Sequence, residues 1–174
     1  MTAPRQQRKP PISLRVLLQV SLQVSLGVAL GCGIFAPWTL QAATDNQLAV
    51  NLDTGLAISG FDPVAYFTES KAEFGRPEVE LNLDGVVWRF TNEGNRGAFS
   101  AHPEVYAPRF GGYDPVAIGS DRSVQGHPLI WVVVGQRLYL FYSEKARAAF
   151  LADPGRIIDT AERKWPGVAR AIGQ

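Results

Sequence analysis

The stretch VELNLDGVVWRFTNEGNRGAFSAHP, residues 79–103, decides the fold. Residues 79–83 alternate apolar and polar, the period of a strand. Asp84-Gly85 is a two-residue hairpin signal, and residues 86–90 are rich in β-branched and aromatic side chains. Asn92 is placed to cap a helix running to about Ala101, with Phe99 facing inward and Pro103 as the stop. The expected unit is β-β-α.

The same order recurs downstream. Residues 129–134 are a continuous apolar run, Gly135-Gln136 is turn-like, residues 138–142 read as a second strand, and Ser143 caps a helix ending at Pro154. A displacement of 51 residues pairs Phe90 with Phe141, Glu93 with Glu144, Arg96 with Arg147, Ala98 with Ala149, Phe99 with Phe150, Ala101 with Ala152 and Pro103 with Pro154. Shared caps and stop prolines follow from helix physics, but Arg and Phe at matched helical phase do not, so the pattern reads as an internal duplication. Upstream, residues 56–59 are apolar and lead into the turn Gly60-Phe61-Asp62-Pro63 and a short helical piece over residues 64–67. Residues 156–172 place Ile157, Ile158, Ala161, Trp165 and Val168 near one helix face, with Pro166 interrupting. The expected class is α+β: a small, mostly antiparallel sheet built from two β-β-α units, helices on one side, and a C-terminal helix as cap.

The chain has 174 residues, of which 46% are hydrophobic and 10% aromatic, enough for a real core and unlike a disordered chain. Its formal charge of +1 hides an asymmetry. Arg5, Arg8, Lys9 and Arg15 lie in the first 43 residues, which hold no acid, so 13 basic residues face all 16 acidic ones beyond them. A mildly acidic remainder does not bind nucleic acid by bulk electrostatics. Residues 16–36 are apolar apart from Gln19, Ser21, Gln23 and Ser25, and Ala42-Ala43 offers a cleavage point. Residues 1–43 therefore read as a secretory signal peptide or an uncleaved N-terminal membrane anchor, and residues 44–174 as a single domain facing outward, periplasmic or secreted. Membrane contact is expected only through that segment. The one cysteine, Cys32, lies inside the apolar run, so cleavage near residue 42 leaves a chain without disulfides, thiolate metal sites or cysteine nucleophiles.

Three separated motifs in order, Gly60 to Phe67, Asn95 to Phe99 with Pro103 to Tyr113, and Leu138 to Ser143, closing on Ala161 to Trp165, resemble the secreted YHS-domain family of bacteria. The likeness covers most of residues 55–168 and implies metal or redox chemistry. The departures bear on that chemistry. Family members commonly continue the Gly-Gly-Tyr motif with a cysteine or selenocysteine where this chain has Asp114, and the paired cysteines of shorter, metal-handling YHS domains correspond to Thr91 and Asn95. Oxygen and amide groups favour hard cations over copper(I) or zinc, so the thiol chemistry does not carry over.

Three sets of residues remain. His102 and His127 with Asp114, or with Asp62, would make a two-histidine, one-carboxylate site for a divalent metal. Against that, His102 suits a helix end and its repeat counterpart is Asp153. Tyr66, Tyr106 and Tyr113 would line a pocket with Trp88, or simply edge the core. In Arg109-Phe110-Gly111-Gly112-Tyr113-Asp114, glycine N–H groups and the guanidinium would gather an anion, or the glycines serve backbone geometry. No triad, nucleophile elbow, dinucleotide fingerprint or phosphate loop is present. The expected function is a non-catalytic binding module for a small ligand or protein partner. The alternatives are a metal-binding protein using His and Asp in place of thiols, and a structural accessory subunit.

Overall fold

Residues 48–50 and 54–173 are described by the computed structural model. The leader and Cys32 lie outside them. Among the described residues, no helix is long and apolar enough to cross a membrane.

The first unit is α1 (Ala65–Thr68), β1 (Arg76–Leu83), β2 (Val86–Phe90), α2 (Glu93–Ala101) and α3 (Pro103–Tyr106). The second is α4 (Pro115–Ile118), β3 (His127–Val134), β4 (Arg137–Phe141), α5 (Glu144–Ala152) and α6 (Pro154–Ile172). The α+β class holds, but the strands form two separate two-stranded antiparallel sheets, β1-β2 and β3-β4, rather than one. Asp84 and Gly85 both have positive φ, as the Asp-Gly hairpin requires, and Gly135 and Gln136 match them at the second turn. Asn92 Oδ1 accepts from Asn95 N–H at 2.9 Å and Ser143 Oγ from Ala146 N–H at 3.2 Å, the two expected caps.

The duplication extends well upstream of the helices. In β1 the pair Arg76–Phe90 is followed directly by Glu80–Arg89, and in β3 the pair His127–Phe141 by Trp131–Leu140, so the same three-residue bulge interrupts both ladders. Each bulge opens with a proline, Pro77 or Pro128, where the missing N–H costs no ladder bond. Asp62 N–H donates to Glu73 O and Asp114 N–H to Val124 O, each at 2.8 Å. Gly75 N–H donates to Gly60 O and Gly126 N–H to Gly112 O, each at 2.9 Å. Gly60-Phe61-Asp62-Pro63-Val64-Ala65 and Gly112-Tyr113-Asp114-Pro115-Val116-Ala117 are therefore the same segment, but 52 residues apart. One extra residue in the loop after α1 restores the offset of 51.

The two hydrophobic cores show how the units stack. Val79, Leu81, Leu83, Val86, Trp88 and Phe90 of the first hairpin face Phe99, Val64 and Tyr66; the other side of this core is Trp131, Val133, Leu138 and Leu140 of the second hairpin. The second hairpin turns its opposite face, Ile130, Val132, Val134, Tyr139 and Phe141, to Phe150 and Ile118. Beyond these lies α6, contributing Ile157, Ile158, Ala161, Trp165 and Val168. Helix α6 thus stands where a third hairpin would be. At the opposite end, the outward positions Glu78, Glu80, Asn82 and Arg89 are polar, with half-buried Val87 the one apolar residue among them and Arg89 Nε bonded to Glu80 Oε1 at 2.8 Å. A two-unit stack with one polar end and one capping helix closes its core without further copies. Helix α6 runs on through Pro166 instead of being interrupted there. Its apolar stripe packs on both sides of the proline, which outweighs one lost backbone bond.

Candidate functional site

Each repeat is locked at its start by a buried carboxylate. Asp62 is fully buried and accepts five hydrogen bonds. Its Oδ1 takes Val64 N–H at 2.8 Å and Ala65 N–H at 3.4 Å. Its Oδ2 takes Thr91 N–H and Thr91 Oγ1–H at 2.8 Å and Asn95 Nδ2–H at 2.7 Å. Asp114, also buried, accepts from Val116 N–H at 2.8 Å, Ala117 N–H at 3.4 Å and Tyr142 N–H at 3.0 Å. Both carboxylates start a short helix and clamp it to the end of the hairpin. Thr91 and Asn95, picked out for standing at cysteine positions, are side-chain donors to Asp62, and the second unit has Tyr142 and Ala146 in their places.

These contacts decide the fate of the expected metal site. Among the described residues, no group of three or more His, Cys, Asp or Glu side chains is arranged to hold a metal ion. His102, His127 and Asp114 are thus not brought together. His102 is exposed at the junction of α2 and α3, with Nδ1 3.4 Å from Glu104 Oε1. His127 is exposed at the start of β3, where Nδ1 accepts Leu129 N–H at 3.2 Å. Asp62 and Asp114 are each surrounded by donors, which leaves neither as a ligand.

The tyrosine pocket also does not form. Tyr66 packs in the first core with its ring edge-on to Trp131 at 5.1 Å, and its hydroxyl donates to Pro128 O at 3.0 Å, tying the second unit's bulge to the first unit. Tyr106 is half-buried against Phe67, while Tyr113 lies in the second core beside Trp165. Burial, with the Asp62 charge adding to it, pushes the Tyr66 phenol well above its usual 10.0. The folded state therefore holds this proton more tightly than the unfolded chain does. That contribution is fully present below pH 10 and is lost as pH rises further. Tyr139, also raised by burial, acts in the same direction. We expect chemical denaturation of the wild type to show stability falling above pH 10, and Tyr66→Phe to make that fall shallower.

At the glycine loop, the charge expected to gather an anion has a partner on α6. The guanidinium of Arg109 is 2.7 Å from Glu162 Oε1 on α6 and lies over the Phe110 ring, and Tyr113 N–H donates to Phe110 O. Gly111 (φ 58) and Gly112 (φ 86) have left-handed backbones, and their counterparts are Ser59 (φ 56) and Gly60 (φ 81). The unit accepts serine at the first position and keeps glycine at the second. Gly111→Ser is expected to change stability by less than about 0.5 kcal/mol, and Gly112→Ala to cost about 1–2 kcal/mol, both read from urea midpoints.

What the structure offers instead is an open groove of about 640 Å³ where the two units meet. The first unit supplies Ser59, Phe61, Ala72 and Phe74; the second supplies residues 125–129 and Tyr142. Phe74, Leu129 and Tyr142 are 69%, 56% and 66% exposed, an unusual cost for large apolar side chains. Phe74 lies on buried Phe61 at 4.0 Å between ring centroids. Of the residues singled out in the sequence, only His127 lines this groove. An alignment of the two units with a one-residue gap would have shown the others. No family model, curated protein or solved structure matches the chain.

Proposed function

We propose that this is an extracytoplasmic, YHS-like binding module that performs no catalysis and presents the groove between its two units to a small ligand or protein partner. The observation that carries the reading is the exposed apolar cluster of Phe74, Leu129 and Tyr142 around that groove. The rest of the chain supports it. The carboxylates named for chemistry are taken up in holding helices to hairpins, and Arg109 is paired. The YHS likeness supplies the scaffold, and the leader supplies the compartment. The full chain isolated from its own cells, examined by native mass spectrometry, is expected to carry a non-covalent ligand or a protein partner. Turnover of any substrate by the purified chain, abolished by one point change, would overturn the reading, as would an apo mass with no partner.

A further inference from the structure

The repeat provides an internal control for the groove. Phe74 corresponds to Gln125, His127 to Arg76, Leu129 to Glu78 and Tyr142 to Thr91. The backbone at these positions is equivalent, since the hairpin registers and the bonds to Asp62 and Asp114 repeat. At Arg76, Glu78 and Gln125 the chain is exposed and polar, as folding physics alone would choose. The fold therefore does not ask for phenylalanine at 74, leucine at 129 or tyrosine at 142. All three departures fall on one groove, one from the first unit and two from the second, and Gln125 adds its amide from the exchanged position.

Its chemistry is narrow. Among the described residues, no Asp, Glu, Lys or Arg side chain lines it: the walls are Phe61, Phe74, Leu129, Pro128 and the Tyr142 ring. Ser59 Oγ, the Gln125 amide and the Tyr142 hydroxyl make no hydrogen bond among the described residues. Because His127 Nδ1 accepts from Leu129, the neutral imidazole carries its proton on Nε2, a donor that also has no partner among the described residues. Apolar walls with a few uncommitted polar groups, in a volume of several hundred Å³, suit a small organic molecule. An anion or cation would find no carboxylate, ammonium or guanidinium partner among the described lining residues and would give up part of its hydration against the apolar walls.

We infer that the groove between the units binds an uncharged small molecule that lays a flat apolar face on Phe74 and Tyr142 and offers hydrogen-bond acceptors to the polar groups beside them. This rests on the binding-module reading. The test is titration calorimetry on the full chain with 2-naphthamide, compared with 2-naphthoate and 2-naphthylmethylammonium. The neutral amide is expected to bind with a Kd of about 0.1–1 mM, the range for a dozen or so non-hydrogen atoms in an open site. Each ion is expected to bind at least about 10-fold more weakly. Phe74→Gln and Leu129→Glu each install the residue the other repeat carries at that position. They should weaken the amide about 10-fold or more with the melting temperature little changed. If Phe74→Gln proves unstable, Leu129→Glu serves alone, since Leu129 is exposed in a bulge.

Binding that neither substitution affects would overturn the site. Equal affinity for amide and ions would overturn the chemistry. No binding of the amide below about 10 mM, on the same affinity scale, would overturn the small-molecule inference. A co-isolated protein that Phe74→Gln releases would assign the groove to a partner instead. In each of these cases a co-isolated ligand or partner in the native mass spectrum would leave the binding-module reading standing.

Discussion

Asp62→Ala is expected to be among the most damaging single substitutions in the chain, lowering stability by about 4 kcal/mol, against about 2 kcal/mol for Asp114→Ala. The difference comes from counting what each carboxylate holds. At Asp114 alanine removes the N-cap of α4, and at Asp62 it removes the matching pair of bonds to Val64 N–H and Ala65 N–H at the start of α1, a loss of about 1 kcal/mol in each case. It also strands a backbone N–H at the hairpin end, that of Thr91 or Tyr142. At Asp62 the change further frees Thr91 Oγ1 and Asn95 Nδ2, which lie with the carboxylate at the junction of hairpin and α2. Hydrogen bonds to a charged acceptor contribute about 1.5–3 kcal/mol each, and the two exposed enough to find water will lose less. A typical domain has only 5–15 kcal/mol in all, so the Asp62 variant should melt far below the wild type. The ordering is the critical result: equal losses at the two sites would mean that Thr91 and Asn95 contribute nothing. A double-mutant cycle of Asp62→Ala with Asn95→Ala, the residue type of its counterpart Ala146, should return a coupling of about 1 kcal/mol or more.

The helices and turns were readable in the sequence because their signals are local. Asn92, Ser143, Asp84-Gly85 and the stop at Pro103 each act through bonds within a few residues, and each is found where expected. The start of β1 was not readable. Its alternation breaks at the bulge, so only the regular stretch from residue 79 resembled a strand, whereas pairing begins at Arg76. The duplication was visible from Phe90 onward and hidden before it. A fixed displacement of 51 sets Asp62 against Tyr113 and conceals the likeness of the two Asp-Pro-Val-Ala segments. The same displacement hid the reason for Asp114, which looked like a replaced thiol and is the second unit's counterpart of Asp62. The sharing of one hairpin between two cores is a long-range fact without a local signature. The only trace was the continuous apolar run 129–134, which a strand buried on one face would not need.

Gly75→Ala and Gly126→Ala should fail for a reason that Gly60, Gly112 and Gly119 do not share. Neither has a left-handed backbone, so conformational freedom is not what they supply; they supply absence of volume. A Cβ at Gly75 would lie 2.5 Å from both Arg89 Cβ and Phe90 N, and one at Gly126 2.5 Å from Leu140 Cβ and 2.7 Å from Leu140 C. The obstacle is mainly the backbone of β2 and β4, which is fixed by the ladder and by Phe90 and Phe141, both fully buried. Nor can the glycine strand back away, because Gly75 N–H and Gly126 N–H are held by Gly60 O and Gly112 O. Relief therefore requires opening the bulge or breaking the link between turn and strand. Each alanine should cost about 3–5 kcal/mol, beyond ordinary overpacking, as measured by urea denaturation. Gly126→Ala should also disturb the groove, since Gly126 lines it, whereas Gly75→Ala should not do so directly. Gly97→Ala, where an added Cβ meets nothing on an exposed helix, is the matched control and should stabilise by about 0.5–1 kcal/mol. A Gly75→Ala variant as stable as the Gly97→Ala control would refute the close approach of the two strands, and with it the three-residue bulge that both hairpins share.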